Sequence, residues 1–121
     1  MTQEDRELLL KDLCARLPYK VKVHVMGTTR IFDICILLDT MSNKVEVKPY
    51  LRPIPSMTEE ETEEYFNTMI LSQDIKGLAP NVRIPTVNSV DWLLKNHFDY
   101  RWLIEKGLAI AVTEENNPYK E

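Results

Sequence analysis

Glycine is scarce in this sequence, with three residues in a chain of 121. Loops that cradle phosphate groups, and the sharp turn that exposes a serine nucleophile, both need closely spaced glycines. The sequence has neither arrangement, and it has no HExxH segment. We therefore predict no catalytic residue and expect a protein that acts by binding. A small enzyme with an unrecognised site stays open as the last of three functional alternatives.

Histidine and cysteine are limited to two residues each. His24 and His97 lie far apart in the sequence, and no third ligand stands at helical or hairpin spacing from either, which argues against a metal site. Cys14 and Cys35 lack the CxxC spacing of metal and redox sites, and their apolar neighbours predict two small core residues. The sequence therefore predicts no metal and no cofactor.

An excess of positive charge and a long apolar run are both missing. The net charge is −4, whereas proteins that bind extended DNA or RNA usually carry a basic stripe. Five acids cluster in residues 59–64, and without them 15 basic residues would face 14 acidic ones. We expect neither extended nucleic acid nor a membrane as a partner. The acidic, helix-patterned first residues are unlike a signal peptide, which predicts a cytoplasmic protein.

Length and periodicity predict a single α+β domain over residues 1–112, followed by a frayed polar tail over residues 113–121. Leucines at helical spacing predict a helix over residues 3–17, which Pro18 ends. A three- to four-stranded antiparallel sheet should carry this helix, a central helix and a C-terminal helical corner.

Three consecutive segments predict the sheet as an antiparallel meander. Valines alternate with polar residues over residues 20–26, which is typical of a strand with one wet face, and His24 lies on that face. The nearly continuous apolar run over residues 30–39 predicts a central strand. Alternation resumes over residues 44–51, before a proline-rich connector.

The second half of the chain predicts helices and an undetermined loop. Capping patterns at Ser56 and Thr58 predict a helix over residues 57–71, with the glutamates of residues 59–64 in its first turns. Residues 72–87 have no clear pattern, and we expect mobility there, with a short strand possible at residues 82–84.

Residues 88–112 contain both tryptophans and the clearest boundary signals. Asn88 or Ser89 can cap a helix that runs to residue 96, and Asp99 can cap a second helix over residues 100–106. Gly107 should end that helix, and the apolar residues 108–112 predict a last short strand.

The same region supplies the densest group of side chains able to bind a ligand. Aromatic faces beside arginine and histidine suit stacking on a base and hydrogen bonding to a phosphate or ribose. Lysines of the meander would be the companions that contact phosphate. The candidate ligand-binding residues are His97, Tyr100, Arg101, Trp102, Lys20, Lys22 and Lys48.

The segments LLLKDLCARLPYKVKV, VEVKPYLRPIPSMTEEE and SVDWLLKNHFDYRWLIEKGLAI resemble small uncharacterised proteins encoded by phages and prophages of gut bacteria. The resemblance covers roughly half of the chain and is most specific in PYLRPIPSMTEEE and HFDYRWLIEKGLA. It implies a phage accessory protein that works in the cytoplasm of a bacterial host cell. It carries no activity over to any residue.

Two binding hypotheses follow from these observations. In the first, the protein counters host defence by sequestering a small, anionic, nucleotide-derived immune signal. In the second, it is an inhibitor or adaptor that contacts a host protein through the acidic helix face of residues 59–64. A homo-oligomer is possible in either case, because a chain of this size could build its pocket between symmetric subunits.

Overall fold

The structure, a computed structural model, describes residues 2–71 and 83–119. The helices are α1 (Gln3–Arg16), α2 (Ile34–Met41), α3 (Glu59–Asn67) and α4 (Val87–Lys95). The strands are β1 (Lys22–Val25), β2 (Thr28–Ile31), β3 (Val47–Leu51), β4 (Ile70–Leu71), β5 (Arg83–Ile84) and β6 (Ile110–Ala111). The predicted α+β fold class is confirmed. Within the described residues, no helix has the length and apolar character needed to cross a membrane.

Four of these strands form one sheet in the order β2-β1-β3-β6. β1 pairs antiparallel with both β2 and β3, whereas β6 pairs parallel with β3. The predicted antiparallel pairing therefore holds for three strands, and the predicted last strand joins them in parallel. β4 and β5 pair with each other in a separate ladder.

The segment predicted as one central strand, residues 30–39, instead spans the end of β2 and most of α2. Asp33 separates the two elements, because its carboxylate accepts a hydrogen bond from the Ile36 backbone at 2.9 Å and caps the helix. A continuous apolar run fits a strand or a buried helix equally well. The prediction is wrong here, and β1 takes the central position between β2 and β3.

The main core lies between the sheet and helices α1 and α2, which pack on one face of it. Lys22, His24 and Lys48 lie on the opposite face, as the strand alternation predicts. The buried apolar side chains include Leu9, Leu13, Val21, Val23, Val25, Phe32, Ile36, Val47, Leu51 and Leu103.

Both cysteines are exposed, so the prediction that they are core residues is wrong. Cys14 follows the buried Leu13 and lies about 100° from it around helix α1. Cys35 precedes the buried Ile36 on α2 in the same way. Apolar neighbours in the sequence therefore did not share a face with either thiol.

Helix α3 is shorter than predicted, whereas α4 begins before its predicted caps, Asn88 and Ser89, which lie inside the helix. Thr58, and not Ser56, caps α3, since the Thr58 hydroxyl and the Glu61 carboxylate each accept the other's backbone N–H at 3.1 Å. Thr86 caps α4, and Ser89 completes that reciprocal pair from inside the helix. The expected mobile loop over residues 72–87 lies mainly outside the described residues, apart from β5 and the start of α4.

The predicted helix over residues 100–106 does not form, and these residues make a turn. Asp99 caps it by accepting hydrogen bonds from the Leu103 and Ile104 backbones at 2.8 and 3.0 Å. Trp102 has a left-handed backbone with φ of 61°, which an α-helix cannot include. Gly107, with φ of 75°, ends the turn as predicted.

Candidate functional site

His97 occupies a backbone position that helices usually give to glycine. Its N–H donates to the Leu94 carbonyl and the next N–H, that of Phe98, donates to the Leu93 carbonyl, which is the Schellman pattern at the end of α4. The φ of His97 is 64°. An imidazole is therefore held at a corner where a side chain raises the backbone energy.

Tyr119 docks against this corner. Its hydroxyl accepts a hydrogen bond from the Lys22 backbone at 2.9 Å and donates one to the Tyr50 carbonyl at 2.7 Å. Its ring stacks on His97 with centroids 4.1 Å apart. The Lys22 ammonium donates to the carbonyl of Pro118. The end of the tail thus departs from the expected frayed segment, because one aromatic ring provides both apolar area and a hydroxyl with two partners.

An open pocket of about 340 Å³ lies beside the stacked rings. We call it the His97 pocket; it is lined by Arg52, Lys95, Asn96, His97, Asn117 and Tyr119. Two amides, two cations and two aromatic rings thus converge on one concave surface. A pocket of this size lies at the small end of the range for ligand sites.

His97 is neutral in this setting. Burial, followed by the positive charges of Arg16, Arg52 and Lys22, lowers its pKa to about 4. Its Nδ1 atom is buried and finds no hydrogen-bond partner among the described residues. A buried polar atom without a partner is costly, so it marks a place where a ligand atom would be favourable.

Arg52 is fixed in the pocket wall before any ligand arrives. Its guanidinium makes a bidentate pair with Glu61, with N–O distances of 2.7 and 2.6 Å, and stacks over the Phe98 ring at 4.2 Å. This hydrogen bonding lowers the pKa of Glu61. The pair partly neutralises Arg52, so Lys95, which is exposed, is the freer of the two cations.

Arg101, a predicted ligand contact, lies beside a buried charge pair, Asp12 and Arg16. Asp12 and Arg16 are fully covered and pair at 2.7 Å, and Arg16 also donates to the Phe98 carbonyl at 2.6 Å. The other oxygen of Asp12 lies 3.3 Å from the Arg101 guanidinium, without the alignment of a hydrogen bond. One carboxylate therefore balances two arginines and joins α1 to the corner after α4.

The remaining predicted residues lie away from the His97 pocket. Tyr100 contacts Arg101: the Arg101 guanidinium lies 4.7 Å from the centre of the Tyr100 ring. Trp102 is exposed and lines a different groove. Lys48 lines a separate depression of about 610 Å³ together with His24, and Lys20 is exposed just before β1. Of the seven predicted residues, the structure brings His97 and Lys22 together around Tyr119, which both contact, and it brings Tyr100 and Arg101 together elsewhere.

Several residues of the pocket were not predicted from the sequence. Two of them had a usable signal: Arg52 is a lone charge in an apolar, proline-rich run, and Tyr119 is a lone aromatic residue in a polar tail. Lys95, Asn96 and Asn117 had none, because a polar residue beside a helix end or in a tail is ordinary.

Comparison of the chain with protein-family models, with curated proteins and with solved structures finds no significant match. Across residues 2–71 and 83–119, no three histidine, cysteine or acidic side chains come together as a metal site.

Proposed function

We propose that this protein acts by binding, without catalysis, and that its ligand is a small phosphorylated molecule of the nucleotide type, held in the His97 pocket. The observation that carries the proposal is the buried Nδ1 of a neutral histidine that lacks a partner in the wall of an open pocket. The atom is closed to solvent, so a ligand hydroxyl, amide or base nitrogen would complete its hydrogen bonding once the imidazole turns toward the pocket.

The surrounding charge favours an anion. Arg16, Arg52 and Lys22 all lie close enough to His97 to lower its pKa, so the potential at the ring is positive. Lys95 adds an exposed ammonium at the rim. A phosphate would gain from this field, and the carboxamides of Asn96 and Asn117 can donate to its oxygens or read the edge of a base.

The strain at His97 is a second support. A glycine would suit its backbone better, yet the chain places an imidazole there. Such positions concentrate at binding and catalytic sites, because the cost is tolerated where the side chain is needed. No second group for general acid or base chemistry is paired with His97 among the described residues, which is why we favour binding.

A phage accessory protein with such a pocket would fit counter-defence by sequestration of a nucleotide-derived host signal. The pocket has room for about one nucleotide unit. A cyclic dinucleotide would therefore bridge two copies of the chain, in line with the possible homo-oligomer.

Calorimetric titration with cyclic dinucleotides, ADP-ribose derivatives, mononucleotides and inorganic phosphate tests the proposal. We expect at least one nucleotide to bind and inorganic phosphate to bind far more weakly. His97→Gly keeps the left-handed backbone and should weaken binding about tenfold or more, which corresponds to one lost hydrogen bond to a charged or buried group. Lys95→Gln should weaken it severalfold.

The matched control is Lys106→Gln, which removes an exposed lysine outside the pocket. It should leave the affinity unchanged. Absence of heat and of thermal stabilisation across the whole panel would overturn the proposal, as would equal loss of affinity in the Lys95 and Lys106 variants.

A further inference from the structure

A second concave surface lies on the other side of the helical corner. This groove has a volume of about 330 Å³, and its apolar wall consists of Pro53, Ile54, Pro55, Trp102 and Ile104. Glu105 lines it as well. We call it the Trp102 groove, and we propose that it docks a short, extended, lysine- or arginine-bearing segment of a partner protein.

Trp102 is displayed by the fold. Its side chain is 57% exposed, and its backbone is left-handed with φ of 61°. The two residues that follow it are fixed: Leu103 is fully buried, and the Asp99 carboxylate accepts hydrogen bonds from the Leu103 and Ile104 amides. The backbone that carries the indole is therefore held in place. An exposed tryptophan on a rigid backbone is a common anchor of protein interfaces.

Two prolines line the groove together with this anchor. Pro53 and Pro55 have no backbone N–H; Pro53 precedes the short helical turn Ile54–Ser56, and Pro55 lies within it. Proline rings beside an indole make an apolar trough that suits an extended chain. An apolar face alone does not identify the segment that binds to it. The charge around the groove indicates which kind of segment binds.

Negative charge lies in the groove wall and near its proline residues. Glu105 is exposed in its wall. Arg52 immediately precedes Pro53 and is bound to Glu61, so the first turns of α3 stand close to the proline wall. Within the described residues, the other four glutamates of this helix form no ion pair: Glu59, Glu60, Glu63 and Glu64.

These charges select a basic occupant. A lysine or arginine can place its aliphatic stem on the indole of Trp102 and its cation near Glu105, which combines a cation–π contact with an ion pair. Nucleic acid is unsuitable, because its phosphates would meet the acidic border. The α3 glutamates would contribute mainly by steering, which makes association depend on salt.

Fluorescence anisotropy with labelled twelve-residue peptides tests the inference. The peptides share a central Leu-Pro-Leu segment and differ in flanks of lysine and arginine, of serine, or of glutamate. We expect binding to the basic peptides alone. Trp102→Asn, which tolerates the left-handed backbone, should weaken it about tenfold, in the range of an interface anchor. Glu105→Gln should weaken it severalfold, with a smaller salt dependence.

Two controls accompany these variants. Val87→Ala removes another exposed apolar side chain, 77% exposed on α4, and Glu114→Gln removes an exposed acid from the tail. Neither should change the affinity. Failure of every basic peptide to bind, or binding that is indifferent to Trp102→Asn, would overturn the proposal. So would a dimer in sedimentation that Trp102→Asn dissociates, because the groove would then be covered by a second copy.

Discussion

The imidazole of His97 and the phenol of Tyr119 stack with their centroids 4.1 Å apart and their planes within 7° of parallel. This contact joins the corner after α4 to the end of the described tail. Tyr119 is anchored on the sheet independently, through the Lys22 backbone and the Tyr50 carbonyl. The tail therefore forms a wall of the His97 pocket, and its hydroxyl should matter for stability.

Tyr119→Phe should lower the free energy of unfolding by about 1–2 kcal/mol, because the Lys22 N–H and the Tyr50 carbonyl lose a partner in a partly buried place. Urea unfolding measures the change. Tyr19→Phe is the matched control, since no hydrogen bond of its hydroxyl is found within the described residues, and it should be close to neutral. Equal effects of the two changes would contradict the docking of Tyr119.

The depressed pKa of His97 should make stability depend on pH. Its folded pKa of about 4 lies below the value of about 6.5 for an unfolded histidine. Between these values the unfolded chain binds a proton that the folded chain does not, so stability falls as the pH falls. The contribution is complete above pH 6.5 and is lost towards pH 4. We expect about 1–2 kcal/mol, after a discount for partial solvent exposure of the ring.

Urea unfolding across this pH range, on the wild type and on His97→Gly, isolates the effect. The variant should show a flatter dependence of stability on pH between 6.5 and 4.5. The Arg52 pair lowers the pKa of Glu61, so its contribution is lost at more acidic pH and is common to both proteins. Identical slopes in the two proteins would show that His97 titrates normally.

Substitutions in the buried cluster around Asp12 should lower the free energy of unfolding far more than substitutions of exposed charged residues. Asp12→Asn leaves Arg16 covered without a counter-charge and should cost about 3–5 kcal/mol. Arg101→Gln removes only the partly exposed and poorly aligned partner and should cost about 1 kcal/mol. Asp91→Asn, an exposed acid on α4, is the control and should be nearly neutral.

Ligand binding separates the two roles considered for Arg101. If this arginine is structural, Arg101→Gln should leave nucleotide affinity unchanged in the calorimetric panel, whereas Lys95→Gln reduces it. Loss of affinity in the Arg101 variant, in a protein that is still folded, would return Arg101 to the ligand site.

Elements that depend on residues close together in the sequence were predicted from their local patterns. The alternation around Val23 placed β1 and its wet face, and Asp99 and Gly107 were found as a cap and a stop. The apolar run after Ile31 was ambiguous, and Asp33 was the available signal for a helix. Whether such a run forms a strand or a helix depends on which residues pack against it, and the spacing of apolar residues along the sequence does not show that.

The candidate site was less predictable, because its contacts join distant parts of the chain. Arg101 was predicted as a ligand contact from its neighbours in the sequence, and its contact with Asp12, on the first helix, could not be predicted from them. Tyr119 meets Lys22 and His97 from the far end of the sequence. The sequence shows which chemical groups a residue carries. Only the tertiary structure shows whether another side chain already pairs with those groups.

The left-handed backbone that exposes the Trp102 side chain should also lower the stability of the folded chain. An L-residue pays about 1–2 kcal/mol to adopt φ near 60°, and glycine does not. Trp102→Gly and Trp102→Ala both remove the indole, so their difference reports the backbone alone. The glycine variant should be more stable than the alanine variant by about 1 kcal/mol in thermal or urea unfolding. At Val87, in the first turn of α4, the order should reverse, because alanine is the better helix former there. An alanine variant at 102 as stable as the glycine variant would mean that the turn relaxes to a right-handed backbone, and that the display of Trp102 is not enforced by the fold.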